Sequence, residues 1–285
     1  MEETVSEIKE NQNQNKSISK NDFVYIDVDE YAIDENNKEE LIDTTIKESD
    51  VNNTLKKNKY APYGIIVGAS FVFKALEDEL EKMEIGQESI FTFTPEQTYG
   101  KKDPELIKLY PIQEVLKVIA KYKLDITPAV GVELPMPFKE DEYGEPTFRT
   151  GKILMLTAGR ARIDFNNKYS GKNIKMKVKL LKKVESIPEK IKLIIEHYYS
   201  NADDFVIEDK DNEIIINIPE RTWNDHNWFH SKEEITTKIR EYVDKKKKIS
   251  YIETHLGIEE PNKENIAEES KPAENQEKQN TDTTS

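Results

Sequence analysis

Residues 85–100 read Ile-Gly-Gln-Glu-Ser-Ile-Phe-Thr-Phe-Thr-Pro-Glu-Gln-Thr-Tyr-Gly, and no other stretch of this chain is as informative. Aromatic and threonine side chains alternate over residues 89–94. This alternation predicts a strand with two unlike faces. The run then ends in Pro95 and Tyr99-Gly100, which are typical of a turn. The sequence therefore predicts a strand that leads directly into a turn.

Two further strands are predicted from the same periodicity. Val24, Ile26 and Val28 share one face of the first strand. The clearest strand covers residues 173–181, where lysines alternate with four apolar residues: Ile174, Met176, Val178 and Leu180. Both patterns are those of strands with one buried face.

An amphipathic helix is predicted between Ser70 and Gln87. Its apolar residues recur at helical spacing, and they are Val72, Leu76, Leu80 and Met83. Ser70 is the predicted N-cap, and Gly86 stands where the helix would stop. We expect this helix to lie on the sheet.

Residues 104–162 are too long for a loop in a compact domain, so they predict an inserted domain. A helix is expected within it at residues 112–121, after Pro111. Residues 1–19 and the acidic stretch 257–285 have no apolar period, and both are predicted to be disordered tails.

Residues 185–256 form a third predicted unit, of α+β type. It should contain a helix near Pro188, a strand pair within residues 204–218, and a last helix that begins at Ser231 in a capping box with Glu234. Its apolar residues are numerous enough for a core of its own. We expect this unit to fold independently and to stay away from any site on the rest of the chain.

Composition limits the classes of function. The chain has 285 residues and a formal charge of −14, which argues against DNA and anionic membranes as partners. It has no cysteine, so disulfides, thiolate catalysis and cysteine-ligated zinc are excluded, and a reducing cytoplasm is the expected location. No stretch is long and apolar enough for a membrane helix, and no secretory signal is recognisable.

Two polar clusters have a structural interpretation and a functional one. Asp225, His226 and His230 are close in sequence, but the predicted helix starts after them, so an aromatic packing corner is favoured over a metal site. The run of lysines at 245–248 is interpreted as a solvated helix end, with contact to RNA or a ribosome as the alternative. His197 and His255 are interpreted as isolated surface residues.

Three separated segments resemble FKBP-type peptidyl-prolyl cis-trans isomerases, in the order of that family. They are residues 95–100, the helix start at Gly68–Leu80, and Asp164-Phe165-Asn166 followed by Ser170-Gly171-Lys172. The body would comprise residues 20–103 plus 163–184, with residues 104–162 inserted in the flap. This arrangement resembles the insert-in-flap (SlyD-like) branch and, because of residues 185–256, its long archaeal type. The resemblance implies an α+β fold: a bent antiparallel sheet around one helix, a mainly-β insert and a C-terminal α+β domain.

The resemblance also implies the site. Tyr99, Asp43 and Phe73 take the catalytic positions, and the substrate-binding positions are Ile42, Tyr63, Ile65, Val72, Leu76, Tyr169 and Met176. Val28 stands where many relatives carry a tyrosine that binds the aspartate. Asp43 is therefore expected to lack a tyrosine partner.

The function that the resemblance implies is X-Pro isomerisation in unfolded or nascent chains, with no cofactor or metal and with client capture by the insert. Apolar residues in segments 130–138 and 152–158 suit the binding of extended chains, although the same residues could pack the insert's own core. A non-catalytic holdase and an adaptor are the alternatives.

Overall fold

The structure is a computed structural model that describes residues 17–140, 142, 144–199 and 201–255. Twelve strands and four α-helices occur in these residues, and the strands form three sheets. The strands are β1 (Phe23–Ile33), β2 (Glu39–Thr44), β3 (Tyr63–Ile66), β4 (Glu88–Phe93), β5 (Ile107–Pro111), β6 (Glu133–Glu140), β7 (Pro146–Leu156), β8 (Arg160–Asp164), β9 (Asn173–Val184), β10 (Val206–Asp209), β11 (Glu213–Ile218) and β12 (Lys248–Glu253). The helices are α1 (Lys74–Leu80), α2 (Ile112–Lys121), α3 (Ile187–Tyr199) and α4 (His226–Tyr242).

The body is an antiparallel sheet in the order β2-β1-β9-β4, with β3 also paired to β1. Helix α1 covers one face of it, called the inner face here. The predicted alternation is confirmed on this face, because Val24, Ile26 and Val28 lie in one buried core with the four apolar residues of β9 and with Leu76 and Leu80 of α1. The α+β class expected for the chain is also confirmed.

Helix α1 is shorter than the sequence predicts, and Ser70 is not its N-cap. The helix begins at Lys74, and Ser70 has a left-handed backbone with φ 62°. The buried carboxylate of Glu77 accepts N–H hydrogen bonds from residues 70, 71 and 72 instead. A carboxylate one turn inside the helix therefore does the work expected of a capping serine.

The insert is a four-stranded sheet in the order β5-β8-β7-β6 with α2 on one face. Its helix spans the residues predicted, with Pro111 at the N-cap position. Nine buried residues form its core, and all of them lie between Tyr110 and Phe165. The insert thus stabilises itself with its own apolar residues.

The C-terminal unit contains α3, α4 and a three-stranded sheet in the order β10-β11-β12. The predicted strand pair is confirmed as β10 and β11, whereas β12, parallel to β11, was not predicted. The predicted start of the last helix is wrong. Helix α4 begins at His226, because Asp225 accepts the N–H of Asn227, and the hydroxyl of Ser231 inside the helix donates to the carbonyl of Tyr198.

The C-terminal unit shares a core with the body, which the sequence did not predict. Phe23 of β1 and Ile66 of β3 are buried in the same core as α3 and α4. Gly64 of β3 lies under Leu193 so closely that a Cβ at residue 64 would overlap the leucine side chain. The outer face of the body sheet is therefore completed by α3.

The ends of the chain also need correction. Most of the first predicted tail (residues 1–16) and all of the second (residues 257–285) lie outside the described residues. Ile18, within the first predicted tail, is buried in the body core, and Ser17 bridges to Glu84. The lysines at 245–248 follow α4 rather than ending it, and two of them pair with acidic residues of the C-terminal sheet. None of the helices in the described part of the chain is long and apolar enough to cross a membrane.

Candidate active site

The predicted site residues come together on the inner face of the body sheet. Ile65, Leu76 and Met176 are buried in the body core. Six others are half-buried and pack against that core: Ile42, Tyr63, Val72, Phe73, Tyr99 and Tyr169. Asp43, also half-buried, lies next to Ile42 on β2. Residues that are up to 134 positions apart in the sequence thus form one largely apolar, aromatic site.

Tyr99 is held in place by two aromatic rings and by the segment Ser170-Gly171. Its ring centroid lies 5.0 Å from that of Phe73 and 5.3 Å from that of Tyr169. The hydroxyl of Ser170 donates to the Tyr99 carbonyl at 3.0 Å, and the N–H of Gly171 donates to the Gly100 carbonyl at 2.9 Å. The Ser170-Gly171 segment therefore fixes the turn that residues 95–100 form.

Val72 and Phe73 are fixed by the turn before α1. Glu77 accepts the N–H of Phe71 at 2.9 Å and, more weakly, that of Val72 at 3.4 Å. Glu77 is buried, so these bonds are shielded from water. The site wall formed by Phe73 consequently depends on a carboxylate that does not itself reach the site surface.

Asp43 has a tyrosine partner, contrary to the expectation drawn from Val28. The hydroxyl of Tyr63 donates to Asp43 Oδ2, and Lys57 Nζ lies 2.6 Å from Asp43 Oδ1. Val28 points into the body core instead. A different strand, β3, therefore supplies the hydroxyl, and the carboxylate is neutralised by a lysine.

The loop that carries Lys57 is itself anchored. The carboxylate of Asp50 accepts hydrogen bonds from the N–H of Thr54 at 2.7 Å, the N–H of Leu55 at 3.0 Å and the hydroxyl of Tyr60 at 2.9 Å. Lys57 also donates to the carbonyl of Thr44 at 2.7 Å. The ion pair at the rim of the site is thus part of an ordered loop rather than of two free side chains.

Glu30 is a site residue that sequence reasoning missed. In the sheet register, Asp43, Glu30, Met176 and Phe91 are cross-strand partners in one row over β2, β1, β9 and β4. Glu30 is 8% exposed, and the Tyr99 hydroxyl donates to its Oε1 at 3.0 Å. The alternation of β1 contained the signal, because Glu30 continues the period of Val24, Ile26 and Val28 on the inner face.

The hydroxyls of Tyr63 and Tyr99 are neutral at physiological pH. Burial raises the pKa of Tyr99, and the neighbouring Glu30 carboxyl raises it further. Burial and the hydrogen bond to Asp43 raise the pKa of Tyr63 in the same way. Both groups therefore act as hydrogen-bond donors and not as phenolates.

A groove of about 880 Å³ continues from the site toward the C-terminal unit. Tyr63 and Val72 line its site end, and Glu196 and His197 of α3 line the other. This corrects two expectations: the C-terminal unit does reach the border of the site, and His197 is not isolated, since its ring lies 3.9 Å from that of Phe71. Partial burial lowers the pKa of His197, because it removes water from the imidazole.

The positions predicted for His226 and His230 relative to the last helix are wrong. His226 and His230 lie on α4, four residues apart, and not before it. Across the residues that the structure describes, no group of three or more His, Cys, Asp or Glu side chains could hold a metal ion. His255 packs on Trp223, with ring centroids 4.0 Å apart.

Comparison with known proteins adds to this geometry. The family model described as FKBP-type peptidyl-prolyl cis-trans isomerase matches residues 15–116, and the FKBP26 C-terminal model matches residues 188–256. The chain is also similar to the short-type peptidyl-prolyl cis-trans isomerase of Methanocaldococcus jannaschii. The two are 29% identical over 165 residues, which cover 57% of this chain and 92% of that protein. The first match includes β1 to β4 and α1, and the second includes most of α3 through β12.

Proposed function

We propose how the parts of this chain divide the work, starting from its FKBP-type peptidyl-prolyl cis-trans isomerase domain and its FKBP26 C-terminal domain. The site around Tyr99 rotates X-Pro bonds in unfolded or nascent chains, and the insert binds those chains. The observation that carries the first part is the convergence of aromatic and apolar residues from separate strands and loops on one face of the sheet. Such a surface fits a proline ring.

The reaction needs no proton transfer. Rotation about the amide has a barrier of ~18–20 kcal/mol because the planar form is stabilised by resonance, which places negative charge on the oxygen. An apolar site that excludes water disfavours the charge-separated planar form relative to the twisted one. Binding of the residues on both sides of the proline supplies the energy to hold that twist.

Each group of the site has a role in this mechanism. The Tyr99 hydroxyl donates a hydrogen bond to the client carbonyl, while Phe73 and Met176 form apolar walls for the proline ring. Asp43 orients the rim of the site and is not a general base. Its pairing supports this role, because its two oxygens already bind the Lys57 ammonium and the Tyr63 hydroxyl.

The test is a protease-free isomerisation assay on a proline tetrapeptide. We expect Tyr99→Phe to lower kcat/KM about fivefold, the effect of one hydrogen bond. Phe73→Ala should lower it by a factor on the order of 10 to 100, since it removes a half-buried aromatic wall of the site. Ile90→Ala, a change at an exposed position of β4, is the control and should leave the rate unchanged. A rate that follows a carboxylate titration and is abolished in Asp43→Asn would contradict the mechanism.

The insert supports client binding through apolar residues that do not pack its core. Leu134, Met136 and Ile153 are buried, so for them the core interpretation of the sequence holds. Leu109 and Met155, by contrast, are exposed and stand on either side of Arg162 in one cross-strand row. This row lies on the sheet face opposite the buried Ile163. It offers an unfolded chain apolar contacts beside a cation.

Client binding is tested by the double variant Leu109→Ser/Met155→Ser. It should weaken catalysis of refolding of a protein limited by proline isomerisation, with little change in tetrapeptide turnover. Val206→Ser is a matched control, because Val206 is an exposed apolar residue on the C-terminal sheet. Equal refolding rates for the double variant and the wild type would show that this row does not bind clients.

A further inference from the structure

The Tyr99 hydroxyl, which is proposed to bind the client carbonyl, already donates a hydrogen bond to Glu30. A tyrosine hydroxyl has one proton. While that proton is donated to the Glu30 carboxylate, at 3.0 Å, it cannot also be donated to the carbonyl oxygen of a client. The two acceptors therefore compete for the group proposed to bind the client.

Glu30 is placed so that it can compete. It is 8% exposed and lies between Asp43 and Met176 in the row of side chains across the inner face. Among the residues that the structure describes, no side chain other than Tyr99 donates a hydrogen bond to this carboxyl. A buried carboxylate with a single donor retains that donor strongly, because no water replaces it.

Protonation of Glu30 reverses the direction of this hydrogen bond. A carboxylic acid donates its proton to the Tyr99 oxygen, and the tyrosine proton becomes available to another acceptor. No covalent bond changes and no net proton moves to the client. We propose that Glu30 is a positioning residue that determines whether the Tyr99 hydroxyl reaches the client carbonyl, and that its protonated form gives the faster enzyme.

The surroundings of Glu30 raise the pH at which its carboxylate takes up a proton. Burial raises the pKa of Glu30; the Tyr99 hydrogen bond opposes this shift and the charge of Asp43 adds to it. Titratable groups from several elements surround Glu30 and its partner. They are Asp43 on β2, Lys57 on the loop between β2 and β3, Tyr63 on β3, and Tyr99 and Tyr169 on two turns. Proton uptake therefore begins above the ordinary carboxyl pKa of 4.5 as the pH falls.

The experiment compares pH profiles of kcat/KM for a tetrapeptide without ionisable side chains, between about pH 5 and pH 8. This inference rests on the proposed role of Tyr99. For the wild type we expect the rate to rise about fivefold as the pH falls, the factor of one hydrogen bond. Glu30→Gln should be independent of pH and faster than the wild type at pH 8, because its amide carries no negative charge to retain the tyrosine proton and has an N–H that can donate to the Tyr99 oxygen. Glu88→Gln, at an exposed position of β4, should keep the wild-type profile.

Two further variants separate the possible failures. Tyr99→Phe and the double variant Glu30→Gln/Tyr99→Phe should be equally slow at every pH, since neither has a hydroxyl to release. If Tyr99→Phe equals the wild type throughout, the proposed site is wrong. If Tyr99→Phe is slow but Glu30→Gln keeps the wild-type pH profile, or is slower than the wild type while its melting temperature is unchanged, the role assigned to Glu30 is wrong.

Discussion

The insert and the C-terminal unit are both additions to the isomerase body, but they are joined to it in different ways. The insert has its own core and leaves the body where Asp103 and Asn166 exchange two hydrogen bonds, at 2.8 and 2.9 Å. The C-terminal unit instead shares a core with β1 and β3, which includes Phe23 and Ile66. One addition is attached by a narrow neck and the other by a buried interface.

This difference predicts which addition affects the catalytic site. β3 carries Tyr63 and Ile65 on its inner side, and Leu193 of α3 packs against Gly64 between them. Loss of α3 would therefore expose one side of a strand that lines the site. Loss of the insert would leave all of these contacts in place.

The largest effect is expected from Leu193→Ala. The substitution removes a fully buried side chain from the shared core, which costs roughly 2–5 kcal/mol. Both tryptophans, Trp223 and Trp228, lie in the C-terminal unit, so their fluorescence reports its unfolding while isomerase activity reports the body. In urea, we expect both transitions to shift together to a lower midpoint.

Leu134→Ala is the matched control, because Leu134 is an equally buried leucine in the insert core. It should destabilise the insert without moving either transition. A tryptophan transition that moves in Leu193→Ala while the activity transition stays constant would show that the C-terminal unit unfolds independently after all.

A smaller effect is expected from Glu196→Gln. The hydroxyl of Tyr25 on β1 donates to Glu196 Oε2 on α3 at 3.1 Å, which makes it a polar link across the shared interface. Weakening a single half-buried hydrogen bond to a charged group should lower the free energy of unfolding by about 1 kcal/mol. Chemical denaturation at neutral pH measures this, and an unchanged midpoint would mean that the link contributes nothing.

The smallest effect is expected from Lys59→Met. Lys59 and Asp203 form a surface ion pair between the body and the C-terminal unit at 3.4 Å, with both side chains largely exposed. Such pairs are screened by water and salt, so no measurable change in the unfolding midpoint is expected. A marked loss would indicate that surface charge, and not the apolar core, joins the two parts.

The sequence predicted the strands and the helix that have one buried face, because such a face repeats apolar residues at regular spacing. The strands at Val24–Val28 and at Ile174–Leu180 follow from alternation, and α2 follows from its spacing after Pro111. The helix starts were less predictable, because several residues can cap. Ser231 fits a capping box, yet Asp225 caps α4, which begins at His226, and Trp228 in its first turn packs on Phe205.

The partners within the site were the least predictable. The resemblance named apolar residues that the fold brings together. It did not show that Tyr63 supplies the hydroxyl expected at Val28, since β3 and β1 are joined only by tertiary pairing. Glu30 was overlooked because a charged residue on an apolar face looks like an interruption of the pattern. Its spacing of two from Val28 nevertheless placed it on the inner face of β1.

The most direct test of the division of work replaces residues 104–165 with a short flap, which keeps Asp103 and Asn166 in contact. Because the body and the C-terminal unit remain complete, tetrapeptide kcat/KM should stay within about twofold of the wild type. Catalysis of proline-limited refolding should fall by a factor on the order of 10², since the insert no longer raises the local concentration of the client chain. Equal losses for the two substrates, or none for refolding, would contradict the account.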